Sequence, residues 1–139
     1  MTHPSPLDTL LATLTDDGDD VTAVIDPSWL QGRTAYGGIS SAVALAATMR
    51  RFQPEKPLRC AQISFVGPVG GDCRVATRVL RQSKSSLFVD AGVSGADGFG
   101  TAALFTFTGA RASHLDHDQL AMPEAPAPEA LESVPASKY

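Results

Sequence analysis

From Ile39 to Arg51 the chain carries a helix-length segment with almost nothing polar on it. Ile39, Ala42, Val43, Ala44, Leu45, Ala46, Ala47 and Met49 are apolar, and Ser40, Ser41 and Thr48 are the only polar residues ahead of Arg50 and Arg51. Alanine, leucine and methionine favour helix, so the segment predicts a helix over 39–51 without a broad polar face. A helix that is apolar nearly all round has to be buried nearly all round. Its unbroken apolar run, Ala42–Ala47, is far shorter than the roughly 20 residues that span a bilayer. The rest of the chain must therefore wrap it, and the small alanines let the wrapping backbone come close. A strongly curved sheet meets that need.

The flanking sequence supplies such a sheet. Leu7, Leu10, Leu11 and Leu14 recur at helical spacing and predict a short amphipathic helix over about 6–14, ended by the acidic turn Asp16–Asp20. Val21–Ile25 reads as a first strand closed by Asp26-Pro27. Ser28–Tyr36, with Trp29, Gly32 and Arg33, shows no period and reads as an ordered loop leading to Gly37-Gly38. After the apolar helix, Leu58–Val66 is a strand and Gly67–Gly71 a turn. Asp72–Gln82 is a long strand, Ser83-Lys84 turns the chain, and Leu87, Val89, Ala91 and Val93 share one face of the next. Asp97-Gly98 is a hairpin signal, and Thr101–Thr108 completes an expected meander. Strand, buried helix, then four antiparallel strands predicts an α+β domain rather than an alternating parallel one.

Composition narrows the function classes. With 139 residues the chain is read as one domain over 1–112 followed by a Pro-, Ala- and Glu-rich tail or linker over 113–139. Of its 15 acids, Asp116, Asp118, Glu124, Glu129 and Glu132 lie beyond His114, so the body carries ten acids against ten bases. No basic stripe is present, and neither nucleic acid nor membrane is an expected partner. The start of the chain lacks the pattern of a secretory signal. Cys60 and Cys73 are read as reduced thiols, with simple hairpin pairing placing Cys60 near Arg78 and Cys73 near Phe65; the expected location is cytoplasmic. The run His114-Leu115-Asp116-His117-Asp118 lacks a third convincing ligand and reads as solvated tail rather than metal site. No metal and no cofactor is expected.

The segments TAYGGISSAVALAATMR, ISFVGPVGGD, VLRQSKSS and AALFTF, in this order and spacing, resemble the hotdog superfamily of acyl-CoA thioesterases. More narrowly they resemble the N-terminal half of the double-hotdog acyl-CoA thioesterase II family, over roughly Trp29 to Phe107. The resemblance implies a curved antiparallel five-stranded sheet around a central helix. It also implies hotdog units side by side in a homodimer or higher homo-oligomer, with acyl-CoA sites at the interface. In the two-domain relatives an Asp–Thr–Gln constellation comes chiefly from the second hotdog. Many single-hotdog enzymes instead carry an acid in the central helix, and Ala42–Met49 contains none.

Thioester hydrolysis needs a group that polarises the carbonyl and a base that delivers water. Tyr36, Gly37 and Gly38 lead into a helix whose first amides, including those of Gly38 and Ile39, are candidates for an oxyanion hole, since free amides there favour negative charge. The same glycines also serve simply to shape a tight helix entry. Ser40 and Ser41 either contact ligand or bond the backbone of the first turn. Arg81, Ser83, Lys84, Ser85 and Ser86 are candidates for binding coenzyme A phosphates, or form an ordinary polar turn. Asp72 and Asp90 read as exposed or structural carboxylates, and Gln62 and Ser64 are candidates to line a pocket without acting as strong bases. The base is unassigned. Three readings follow: an acyl-CoA thioesterase, a catalytically silent acyl-CoA-binding or assembly half, and, ranked last, a hydratase whose usual Asp and His pair is not apparent.

Overall fold

The apolar segment forms helix α2, Gly37–Phe52, and the sheet is laid across one of its faces. The computed structural model describes residues 6–115 and 117–133. Ahead of α2 come α1 (Leu7–Leu11), β1 (Thr15–Asp17), β2 (Asp20–Ile25), a one-turn 3-10 helix at Pro27–Trp29, β3 (Leu30–Gln31) and β4 (Thr34–Ala35). Behind it come β5 (Leu58–Phe65), β6 (Gly71–Gln82), β7 (Ser86–Gly95) and β8 (Gly98–Thr108). The main sheet is antiparallel with the order β1-β2-β6-β7-β8-β5, and β3 and β4 form a small hairpin of their own.

Alternation decides which side of the sheet meets the helix. Val75 on β6, Val89 and Val93 on β7, and Phe105 and Phe107 on β8 point inward and are buried. From α2 they meet Ile39, Val43, Ala44 and Ala47, and Thr48 is buried because its hydroxyl donates to the Ala44 carbonyl at 2.9 Å. The convex face of the sheet carries Arg74, Arg78, Asp90 and the other alternate residues.

Several expectations are corrected. Leu58–Val66 and Asp72–Gln82 do not form a hairpin: β7 and β8 lie between β5 and β6, and residues 66–70 cross the end of the sheet instead of turning tightly. Accordingly Cys60 stands opposite Thr106 and Cys73 opposite Ala23, not beside Arg78 and Phe65. The crossing needs glycine beneath it. Val66 and Gly67 amides both donate to the Gly100 carbonyl, at 2.7 and 3.0 Å, and a Cβ on Gly100 would collide with Val69 Cγ2. Val69 is buried there, 3 % exposed.

The sheet has six strands rather than five, because the acidic stretch is a β-hairpin and not only a turn. Its aspartates are held by arginines from distant segments. Arg50 makes a two-pronged bond to Asp16 (2.7–3.1 Å), Arg51 reaches the Gly18 carbonyl and Asp19, and Arg74 holds both Asp17 and Asp20. The opening helix stops at Leu11, short of the predicted 14. The Thr13 hydroxyl donates to the Leu10 carbonyl and accepts from the Val24 amide, turning the chain into the sheet. Ser28–Tyr36 is likewise more ordered than a loop. The central helix is longer than predicted, with Gly37 and Gly38 inside its first turn.

Nor is α2 wrapped all round by this chain. Gly38, Ala42, Leu45 and Met49 form a stripe that is exposed or only half-buried, Met49 being 45 % exposed. The edge strand β5 is exposed along nearly its whole length.

Because Val69 is fitted over Gly100, Gly100→Ala is expected to lower stability by roughly 1–3 kcal/mol, the usual cost of overpacking. Urea unfolding measures this, and an unchanged midpoint would refute the crossing as described.

Candidate functional site

At the N-terminus of α2 the chain encloses a cavity of about 490 Å³ between the β3–β4 hairpin, the first helical turn and the 66–69 crossing. Two amides at this helix start, those of Gly37 and Gly38, make no backbone hydrogen bond among the described residues, as expected for the first helical positions. They are not equivalent. The Phe65 ring lies over Gly37, where a Cβ would stand 2.6 Å from Cζ, whereas nothing lies within 4 Å of a Cβ placed on Gly38. Gly38 is therefore the open approach to the helix end. Ile39, paired with it in the sequence reading, drops out: its amide already donates to the Tyr36 carbonyl at 2.8 Å.

The serines of this turn bond backbone. Both Ser40 and Ser41 hydroxyls donate to the Gly37 carbonyl, at 3.1 and 2.8 Å. Ser40 also accepts a bond from Thr101 Oγ1 on β8 at 3.0 Å, and both are almost wholly buried, at 3 % and 1 % exposed. With both protons engaged, neither hydroxyl is left to donate to an oxyanion; Ser40 ties the first turn to the sheet through Thr101, and Ser41 closes on the helix's own backbone. Thr101 escaped the sequence reading because only the pairing of β8 beside β5 brings it under the helix start. Tyr36 lines the cavity and is half-exposed.

The remaining candidates lie elsewhere. Arg81, Ser83, Lys84, Ser85 and Ser86 sit at the β6–β7 turn beside the C-terminal end of α2, about 24 Å from Gly37 at 1.5 Å per helical residue. Within one chain they do not join the cavity at the helix start. Ser83 and Ser86 share a 2.9 Å hydroxyl contact and close the turn through Ser83 N–H to the Ser86 carbonyl at 2.8 Å. Lys56, which the sequence reading passed over, lines the same end. Gln62 and Ser64 pair with Leu104 and Ala102 on the convex face, away from the helix. Asp90 pairs there with Arg78 at 3.1 Å, and Asp72 is exposed on β6. The described residues lining the cavity at the helix start include no Asp, Glu, His or Cys. No group of three or more metal-ligating side chains occurs among the described residues, and Asp116 of the His114–Asp118 run lies outside them. No helix of the described residues is long and apolar enough to cross a membrane.

Residues 25–110, more than half of the chain, match the family described as the acyl-CoA thioesterase N-terminal domain. The chain belongs to that family. Solved structures share the fold. A hot-dog-fold protein from Alicyclobacillus acidocaldarius superposes with a TM-score of 0.75 at 21 % identity, over 88 % of this chain and 46 % of its own. The tesB protein of Mycobacterium avium subsp. paratuberculosis gives 0.68 at 23 %, over 91 % and 50 %. A Bacillus halodurans protein solved with coenzyme A gives 0.53 at 23 %, over 68 % and 71 %. The chain thus spans about half the length of the first two relatives. No match was found among curated proteins. This acyl-CoA thioesterase N-terminal domain is a hotdog: a curved antiparallel sheet laid on a central helix.

Its two cysteines differ sharply. Cys60 is exposed, while burial pushes the Cys73 thiol, which donates to the Ala23 carbonyl at 3.4 Å, up from 9.0 to about 11. A thiol reagent at neutral pH is expected to modify Cys60 rapidly and Cys73 only on unfolding. Because the folded pKa is the higher, the neutral Cys73 thiol supports the fold fully below pH 9.0, and that support is lost as pH rises toward about 11. Unfolding of the native chain and Cys73→Ala across this range, compared as a difference, checks the sign.

Proposed function

We propose that this hotdog contributes the carbonyl-polarising half of an acyl-CoA thioesterase site completed by a second hotdog unit. One observation carries the reading: among the described residues the helix start presents two amides without a backbone partner, at Gly37, which lines a cavity whose described lining holds no base, and at the adjoining Gly38, beside which the space is open. A thioester oxygen at Gly38 would accept from the amide and feel the positive end of α2 as the tetrahedral intermediate gains charge. Water, activated by a base from the second unit, would form the new C–O bond, and the coenzyme A thiolate would leave with the C–S electrons.

The sheet's two edges support the second unit. Strand β1 is a short edge of three residues carrying two aspartates, the kind that discourages pairing. Strand β5 is eight residues long with Arg59 its only charge, and it is exposed along nearly its whole length. Its Leu58 end stands opposite Phe107 and its Phe65 end opposite Thr101. Antiparallel pairing of two β5 strands about a two-fold would bring the other unit's β6–β7 turn to the end of the sheet where Gly38 lies. In that arrangement Arg81, Ser83, Lys84, Ser85 and Ser86 face coenzyme A phosphates, and Tyr36, Gly37 and Ser40 wall the thioester. The second unit is another copy, or a second hotdog of the length the relatives have. A silent, acyl-CoA-binding role is the alternative, favoured by the absence of a base among the described lining residues.

Two experiments test this. Released thiol is measured across a panel of acyl-CoA substrates for the native chain and Gly38→Ala. A methyl group blocks oxygen approach, so kcat is expected to fall about 100-fold, the scale of losing one oxyanion donor. The thermal midpoint should hold or rise, since alanine favours helix over glycine. Absence of any turnover would leave the silent reading, and equal turnover by Gly38→Ala would remove Gly38 from the chemistry. Sedimentation equilibrium is expected to show a dimer that Gln62→Lys with Ser64→Lys dissociates, because like charges would oppose across paired β5 strands. A native monomer at all concentrations would exclude self-pairing.

A further inference from the structure

The β3–β4 hairpin presents one side chain that neither the fold nor the proposed chemistry uses. Gly32, at φ 70°, and Arg33 form its turn between the pairs Leu30–Ala35 and Gln31–Thr34. The hairpin is fastened to the crossing segment. The Ala35 amide donates to the Val69 carbonyl at 2.7 Å, and Thr34 Oγ1 accepts from the Val69 amide at 3.1 Å. Leu30 packs over Gly70, where a Cβ would stand 2.9 Å from Leu30 Cδ2. Arg33 is thereby held at the wall of the cavity that Gly37 also lines.

Its charge has no counterpart there. Arg33 is the sole charged residue among those lining the cavity. Arg50, Arg51, Arg74 and Arg78 each hold an aspartate, but no ion pair or side-chain hydrogen bond engages the Arg33 guanidinium among the described residues. The adjoining wall is the positive end of α2, so the cavity carries positive potential in a chain whose net charge is -4. A guanidinium fork fits the planar oxygens of a carboxylate or phosphate.

We propose that Arg33 is the anion-recognition residue of this cavity, binding a carboxylate or phosphate group of the thioester ligand. This rests on the cavity being a thioester site. Two parts of such a ligand bear the required oxygens: the far end of a dicarboxylic acyl chain, and the phosphates of coenzyme A.

Titration calorimetry on the full chain with non-hydrolysable thioethers separates the sources. The probes are butyl and carboxypropyl thioethers of coenzyme A, and the same two groups on pantetheine, which has no phosphate. Arg33→Gln is expected to weaken the anion-bearing probes about tenfold, as for loss of one charge-assisted hydrogen bond, and Arg33→Lys to recover part of that loss. Loss confined to carboxypropyl probes on both carriers identifies the acyl carboxylate, and loss confined to coenzyme A probes identifies the phosphates. Unchanged binding of every probe overturns the role of Arg33 while leaving the thioester site standing. Equal weakening of neutral butyl-pantetheine also overturns it, since the residue would then act by packing. Failure of the native chain to bind any probe overturns the thioester-site reading and this proposal with it.

Discussion

The structure depends on how closely the sheet can approach α2. Val43, Ala44, Ala47 and Thr48 are fully buried against the sheet, and two of them are alanines, so the backbone of β6, β7 and β8 comes near the helix axis. Larger side chains there would hold the layers apart and open voids beneath Phe105 and Phe107. Close approach also forces the chain to pass over the sheet end under tight clearance. Gly100 meets that clearance beneath Val69, and a Cβ on Gly95 would stand 3.7 Å from the Gly70 backbone. The cavity at Gly37 is a by-product of the same passage, bounded by the crossing on one side and the helix start on the other.

Much of the architecture was legible from side-chain pattern alone. An apolar helix, long alternating strands and the Asp97-Gly98 turn carry their own local signals, and Gly98 does adopt φ 100°. What stayed hidden was pairing between segments distant in sequence. Leu58–Val66 and Asp72–Gln82 are separated by a Gly-Pro-rich stretch, which reads naturally as a hairpin because consecutive strands usually neighbour one another. The contrary signal was glycine in later strands, at Gly95 and Gly100, which makes sense only once Val69 is seen above it. The acidic hairpin was hidden for a related reason. Asp16–Asp20 has poor strand propensity, and the arginines that hold it come from residues 50, 51 and 74.

The site was half legible. Gly37-Gly38 marked the helix start, yet the distinction between a covered Gly37, an open Gly38 and an engaged Ile39 rests on Phe65 and Tyr36, whose positions are tertiary. Arg81 and Lys84 looked like company for Gly38 in a linear reading, and the fold sets a helix length between them. The reverse holds for Arg33. Four residues ahead of Gly37 it resembled an ordinary loop cation, and the Gly32 turn brings it to the cavity wall. Charges near a cavity thus carry little meaning until the path of the backbone is known.

The unlike edges of the sheet have a consequence for how far this fold can grow. A sheet with two receptive edges adds strands without limit and ends as a fibre. Here the three-residue, aspartate-bearing β1 closes one side while β5 leaves the other open. Joining at β5 consumes the open edge of both participants and leaves only acidic ends outward. Under the proposed pairing, assembly by this route would terminate at two units, a closed object whose size is written into the contrast between one strand and another.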